Sequence, residues 1–270
     1  MDGSEKEGDM KDYQALVFFD LDGTLLDKES KLPKENHEAI LELKKKDSLP
    51  IIASGRSPKE IKQIIEGTPI DSYVSLNGQF NVAENQVVSK HAFPLTLIQE
   101  LMALTEEMGH SLACYTEAEY AACYSDNSME KLYHLDHAPM PQISTSFHKT
   151  HEIYMMYLFS EEPEKDALYR KAFAERLTFF RDSPYSMAVV LNGQSKKAGI
   201  YQVIESLKLS HVPTYAFGDG ENDVGMFEAV QTAIAMDNAS AYVKSQADFI
   251  TKSHVDNGIQ FGLTHFGLLD

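Results

Sequence analysis

The sequence predicts an α/β fold, a parallel-sheet core interrupted by an inserted α+β module, and three observations carry that expectation. Short apolar runs alternate with amphipathic helical stretches at both ends of the chain, the rhythm of βαβ units on a parallel sheet. Residues 82–187 break that rhythm with hairpin-like alternation, many of the tyrosines and histidines, and both cysteines. The length, 270 residues, suffices for two modest domains that need no disulfide or metal staple to fold.

In order along the chain, residues 1–12 are polar and acidic and read as a frayed tail. Ala15 to Asp20 is apolar until its last residue, as in a strand buried on both faces, and Pro33 to Asp47 then places Ile40 and Leu43 at helical spacing. Leu49 to Ala53 is the next buried strand. Ser57-Pro58-Lys59-Glu60 supplies an N-cap, a first-turn proline and a glutamate three residues after the cap, which starts a helix that Gly67 ends. Tyr73 to Leu76 makes a third strand, closed by the turn dipeptide Asn77-Gly78. Pro94 to Met108 and Pro163 to Leu177 read as helices of the insert. The first rhythm resumes with Val189 to Leu191, Thr214 to Phe217, Thr232 to Ala235 and Asp248 to Ile250 as strands. The expected division is a core of 13–81 and 188–270 around an insert of 82–187.

Composition limits the partners. With 24 Lys+Arg against 41 Asp+Glu, the net charge of −17 repels nucleic acid and anionic membrane surfaces, so neither is expected as a partner. The apolar runs are far short of a bilayer span, and the start of the chain lacks the basic and apolar regions of a signal peptide. Cys114 and Cys123 read as buried thiols in a reducing compartment, so the cytoplasm is expected.

Chemistry concentrates where strands end. Asp20-Leu21-Asp22-Gly23-Thr24 follows the first strand, the edge at which open α/β sheets place their ligand crevice. An isolated Asp-x-Asp-Gly is most often a turn, but Gly218-Asp219-Gly220-Glu221-Asn222-Asp223 repeats the arrangement after another strand. Several carboxylates at one sheet edge form a hard oxygen site suited to Mg²⁺. For an anion the chain offers Ser54-Gly55-Arg56, again after a strand, and Lys196 or Lys197 at the start of a helix. His134-x-x-His137 and His148-x-x-His151 lack a supporting cysteine or carboxylate pattern and read as decoration of the insert.

The segments Phe18 to Leu26, Ala53-Ser54-Gly55-Arg56, Gln194-Ser195-Lys196 and Gly218 to Asp223 resemble, in order, the four motifs of the haloacid dehalogenase superfamily. Asn77-Gly78, the large insert, Ala235-Met236-Asp237-Asn238-Ala239 and Ala247 to Thr251 resemble its Cof-type phosphatase branch. The resemblance implies a Rossmann-like hydrolase core with an inserted α+β cap, and a Mg²⁺-dependent phosphatase acting on small phosphomonoesters, sugar phosphates or phosphorylated cofactors. It implies that Asp20 is the nucleophile and Asp22 the acid and base. Asp20, Asp22 through its carbonyl, Asp219 and Asp223 would hold the metal. Ser54, Gly55, Lys196 and Asn222 would hold the phosphate, while Arg56 and Asn77 face the substrate. Tyr115, Thr116 and Glu117 are further candidates for leaving-group contacts. The chain departs from the branch at Lys197, where glycine is usual, at Ala188, where an acidic residue is common, and at Asp237. A phosphomutase on the same fold, or a non-catalytic phosphometabolite-binding regulator, is an alternative, and a monomer or weak homodimer is expected.

Overall fold

The computed structural model describes residues 13–135 and 139–270, so the expected tail and His137 lie outside the described residues. Thirteen strands form two sheets among them. They are β1 (Ala15–Phe19), β2 (Ser48–Ala53), β3 (Tyr73–Ser75), β4 (Phe80–Ala83), β5 (Gln86–Lys90), β6 (Ser111–Tyr115), β7 (Tyr120–Tyr124), β8 (Met155–Phe159), β9 (Leu177–Ser183), β10 (Ser186–Leu191), β11 (Thr214–Gly218), β12 (Thr232–Ala235) and β13 (Phe249–Ile250). The larger sheet runs β13-β12-β11-β1-β2-β3-β4-β5, parallel from β13 to β3, with β4 and β5 added antiparallel. The smaller sheet is antiparallel in the order β7-β6-β8-β10-β9.

Every residue of β1 is buried, as its unbroken apolar run requires of a central parallel strand. The helices α1 (Lys34–Lys45), α2 (Pro58–Ile64), α3 (Leu95–Met108), α4 (Asn127–Leu135), α5 (Phe147–Thr150), α6 (Asp166–Ala172), α7 (Lys196–Leu207), α8 (Val224–Phe227), α9 (Ala241–Ser245) and α10 (Gly258–His265) fill the connections. Ile40 and Leu43 of α1 and Ile259 and Leu263 of α10 pack with Val17 and Phe19 on one face of the larger sheet. Ile200 and Val203 of α7 pack with Leu16 and Phe18 on the other. The sheet is therefore covered on both faces, and none of the described helices is long and apolar enough to cross a membrane. The helix start expected at Ser57 forms as a capping box: Ser57 Oγ accepts the Glu60 N–H at 3.4 Å and the Glu60 carboxylate accepts the Ser57 N–H at 2.9 Å.

Sheet membership moves both edges of the expected 82–187 insert. Residues 80–90 form the β4–β5 hairpin, which extends the larger sheet. Val189 to Leu191, expected in the core, belongs to β10, which pairs with β8 and β9 in the smaller sheet. An apolar strand buried on both faces reads the same in either sheet, so only pairing distinguishes them. The helix expected over Pro163 to Leu177 is also shorter: α6 ends at Ala172, and Leu177 opens β9, where Leu177 and Phe179 face one core.

Successive strands run from β1 through β2 to β3 on one side and from β11 through β12 to β13 on the other. The order of the sheet thus reverses between β1 and β11, and the crevice lies at their C-terminal ends.

Candidate active site

Asp20 follows the last residue of β1, and its N–H donates to the Phe217 carbonyl of β11 at 3.0 Å, so the two strands hold its backbone. The chain then folds into a tight turn in which Asp22 is extended and Gly23 has φ +77°. A Cβ on Gly23 would stand 2.3 Å from an Asp219 carboxylate oxygen, so this glycine lets the β11 carboxylate close on the β1 turn. Asp219 is further held by Thr24 Oγ1, which donates to its Oδ1 at 2.8 Å, and by Asn238 Nδ2, which donates to its Oδ2 at 3.1 Å and to the Gly23 carbonyl at 2.9 Å.

Lys196 enters from the first turn of α7. Gly78 makes this possible, because a Cβ there would meet the Ser195 carbonyl at 2.1 Å. The Lys196 ammonium donates to Asp20 Oδ1 and to Asp223 Oδ1, each at 2.6 Å, with Lys196 1% and Asp223 0% exposed. Asp223 Oδ2 accepts the N–H groups of Asp219 and Gly220, both at 2.9 Å, so both of its oxygens have protein partners. Lys197 points the other way, to Glu228 at 2.9 Å.

Burial, then the Asp223 charge, pushes the Asp20 carboxyl well above the ordinary carboxylate range, against the pull of Lys196. Burial also raises Asp219, to about 6. Lys196 is buried, which works against its charge, but the Asp20 and Asp223 carboxylates hold its pKa above the usual value. Asp20, Asp219 and Asp223 each offer an oxygen within 4.8 Å of the others. This crowding of two buried carboxylates and one half-buried one around one ammonium is short of positive charge, and its all-oxygen donor set fits a hard divalent cation. The Asp22 carboxylate is not part of that group. It is turned to Arg56, whose Nε and Nη2 donate to its two oxygens at 2.8 and 2.6 Å.

The other expected residues sit around this centre. Ser54 is buried after β2, with its Oγ accepting the Arg56 N–H at 3.2 Å and its carbonyl accepting the Asn77 N–H at 3.1 Å. The Asn77 amide lies close to Gly55, at 3.4 Å from where a Cβ would stand. It donates to Met155 Sδ of β8 at 3.7 Å, while its Oδ1 is buried without a hydrogen-bond partner. Asn222 lies on the turn at 221–223, with its amide oxygen folded against Gly220. Of the candidates in the smaller sheet, Tyr115 ends β6. Thr116 closes the turn to β7 by accepting the N–H groups of Ala118 and Glu119, and the Glu117 carbonyl accepts the Lys59 N–H of α2 at 3.1 Å. Thr24 and Asn238 were not among the sequence candidates. The signal available for each was a polar residue just beyond the end of an apolar strand.

A family model described as haloacid dehalogenase-like hydrolase matches residues 17–263. YkrA of Bacillus subtilis (strain 168), provisionally named a phosphatase, is 37% identical over 256 residues, covering 94% of this chain and 98% of its own. YcsE of the same organism, named a 5-amino-6-(5-phospho-D-ribitylamino)uracil phosphatase, is 24% identical over 265 residues, 94% of this chain and 96% of its own. Among solved structures, the sugar phosphatase BT4131 superposes with a TM-score of 0.82 at 28% identity, over 94% of this chain and 100% of that one.

Proposed function

This chain belongs to the haloacid dehalogenase-like hydrolases and is a phosphatase-type enzyme, and we propose that it hydrolyses small phosphomonoesters with Mg²⁺ through a phosphorylated Asp20. One observation carries the reading: a nucleophile-bearing strand end at which Asp20 is buried, bonded to Lys196 through one oxygen, and followed two residues later by a second carboxylate held apart from the first. Pure binding of a phosphate has no use for that pair.

In the first half-reaction a carboxylate oxygen of Asp20 attacks phosphorus and the bond to the leaving oxygen breaks, with Asp22 donating the proton that the leaving oxygen takes up. Lys196 fixes the Asp20 carboxylate through Oδ1. In the second half-reaction Asp22 accepts a proton from water, the water oxygen attacks phosphorus, and the Asp20 carboxylate is released with inorganic phosphate. The bidentate Arg56 pair represents the resting arrangement of Asp22. Asp22 must leave Arg56 to act as an acid, which frees Arg56 for the substrate. Ser54, the Gly55 N–H, Lys196 and Asn222 surround the phosphoryl oxygens, and Asn77 offers its unpaired Oδ1 to the leaving group. Asp20, Asp219 and the Asp22 carbonyl are the residues that would hold Mg²⁺, with Asp223 supporting through its neighbours. Bound Mg²⁺ supplies positive charge against the phosphoryl oxygens.

Phosphate release from a panel of esters, with and without Mg²⁺, tests the reading. Chelator is expected to abolish turnover and Mg²⁺ to restore it; full activity in excess chelator overturns the metal assignment. Stability gives a second readout. Asp219 is held at about 6 in the fold against an ordinary 3.8, so its contribution to stability is present at low pH and is lost as pH rises through about 6. Mg²⁺ should therefore raise Tm more at pH 7 than at pH 5, where the proton competes with it. An equal or smaller rise at pH 7 would argue against Asp219 as a ligand.

Asp22→Asn is expected to slow turnover by about 10²- to 10⁴-fold for alkyl phosphates and much less for para-nitrophenyl phosphate, whose leaving group needs no proton. The same defect for both would make Asp22 structural.

A further inference from the structure

Both cysteines of the chain lie in the β6–β7 hairpin. From the turn outward the strands pair Tyr115 with Tyr120, Cys114 with Ala121 and Ala113 with Ala122, and the next pair is Leu112 with Tyr124. Cys123 is the residue left over, a bulge on β7. In an unbroken ladder it would face Leu112, on the side of the sheet that Cys114 shares, and across the bulge its Sγ stands 3.9 Å from the Cys114 Sγ. A disulfide needs about 2.05 Å, so roughly 2 Å remain to be closed. The residue that must move is the one the ladder leaves unpaired.

Both thiols are buried, in one cluster with Leu101, Leu112, Met156 and Phe179 on the face of the smaller sheet covered by α3 and α6. Among the described residues no histidine or carboxylate completes a metal site with them. The hydrogen bond between them pulls the Cys123 thiol below its ordinary value and pushes Cys114 above its own, burial adding to the rise. Cys123 is thus the nucleophile of the pair, and Cys114 the thiol that resolves it. Access comes from the edge. β7 is the outermost strand of the smaller sheet, and its outer side is bridged at Ala122, whose N–H donates to the Gln142 carbonyl at 3.0 Å and whose carbonyl accepts the Ser144 N–H at 2.8 Å. Parting those bonds, next to the bulge, uncovers Cys123 with the rest of the sheet intact.

We propose that Cys114 and Cys123 are a peroxide-oxidised dithiol that closes reversibly to a disulfide and staples the edge strand β7 to β6. The Cys123 thiolate attacks one oxygen of a hydroperoxide and the O–O bond breaks. Cys123 becomes a sulfenic acid, and its proton goes to the oxygen that leaves, as an alcohol, or as water from hydrogen peroxide. The Cys114 sulfur then attacks the Cys123 sulfur, the S–O bond breaks, and water leaves with the Cys114 proton. Two thiols have then given two electrons and two protons to one peroxide. In a reducing compartment the pair rests as thiols, and the disulfide marks exposure to oxidant. The inference does not depend on the phosphatase reading, because the pair packs in a different cluster from the strand that ends at Asp20.

The test treats the full chain with hydrogen peroxide, unfolds it in excess iodoacetamide and reads the intact mass. The treated protein should have lost about 2 Da and take up no alkyl group, whereas after dithiothreitol it should be alkylated on both cysteines. In Cys114→Ser the reaction should stop at a sulfenic acid that dimedone traps, and in Cys123→Ser oxidation of the remaining thiol should be roughly tenfold slower. In glutathione buffers the folded chain should hold its disulfide against conditions roughly tenfold more reducing than the same chain in urea, since a cross-link that restricts the unfolded chain is itself favoured by the fold. Folded protein still alkylated on both cysteines after peroxide overturns the proposal, and so does a disulfide no harder to reduce in the fold than in urea. Sulfinic or sulfonic acid in place of the disulfide, or a disulfide between two chains, overturns it as well. These outcomes are read on the unaltered protein and stand whether or not the variants fold.

Discussion

Asp20→Asn is expected to lower turnover by roughly four to six orders of magnitude while leaving the fold intact. The amide keeps the volume of the side chain but lacks the anionic oxygen that attacks phosphorus. Its effect on stability should be neutral or favourable. The Asp20 carboxylate is charged at a cost, first because it is buried and then because Asp223 is close, and Lys196 keeps Asp223 as a partner when Asp20 is neutral. Thermal unfolding should show a Tm no lower than that of the unaltered protein. Near-normal hydrolysis by folded Asp20→Asn protein would sink the nucleophile assignment.

Lys196→Met has the opposite signature, a large loss of stability together with activity. The ammonium bridges two carboxylates at 2.6 Å each, and it is 1% exposed. Methionine fills similar space without charge, leaving Asp20 and Asp223 buried against one another. Breaking such a buried ion pair costs about 3–5 kcal/mol, which lowers Tm by roughly 10 °C for a chain of this size. Lowering the pH should narrow the gap, because Asp20, whose carboxyl burial and the Asp223 charge already raise, takes up a proton and the repulsion is removed. Lys197→Met, by contrast, removes an exposed pair with Glu228 and is expected to change Tm by less than about 2 °C. If Lys196→Met melted with the unaltered protein, the bridging role would fall.

Much of the larger sheet could be read from the chain because its signals are local. An apolar run such as Ala15 to Phe19, buried throughout, announces a central parallel strand wherever it occurs. The end of such a strand marks the crevice, and carboxylates found there at Asp20 and Asp219 are drawn to one place by the parallel pairing of β1 with β11. The N-cap at Ser57 was legible for the same reason: its bonds reach only three residues along the chain.

Other features depended on contacts that no local pattern encodes. Lys196 and Lys197 are chemically identical neighbours, and which of them is buried is decided by the angle at which α7 starts against Gly78. The pairing of Asp22 with Arg56 joins residues 34 apart in sequence, and the Asn238 bond to the Gly23 carbonyl joins residues 215 apart. Residues 186–191 are an apolar strand in either sheet, and pairing with β8 and β9 alone assigns them to the smaller sheet. The sequence by itself determined the kinds of strand, the edge where charge collects and the residue types found there, since each follows from the chemistry of a few consecutive residues. Tertiary structure decided which lysine neutralises the carboxylates, where Asp22 points and to which sheet residues 186–191 belong. Those outcomes depend on the relative placement of segments far apart in the chain, and burial gives a charge or a ring its meaning only after that placement is made.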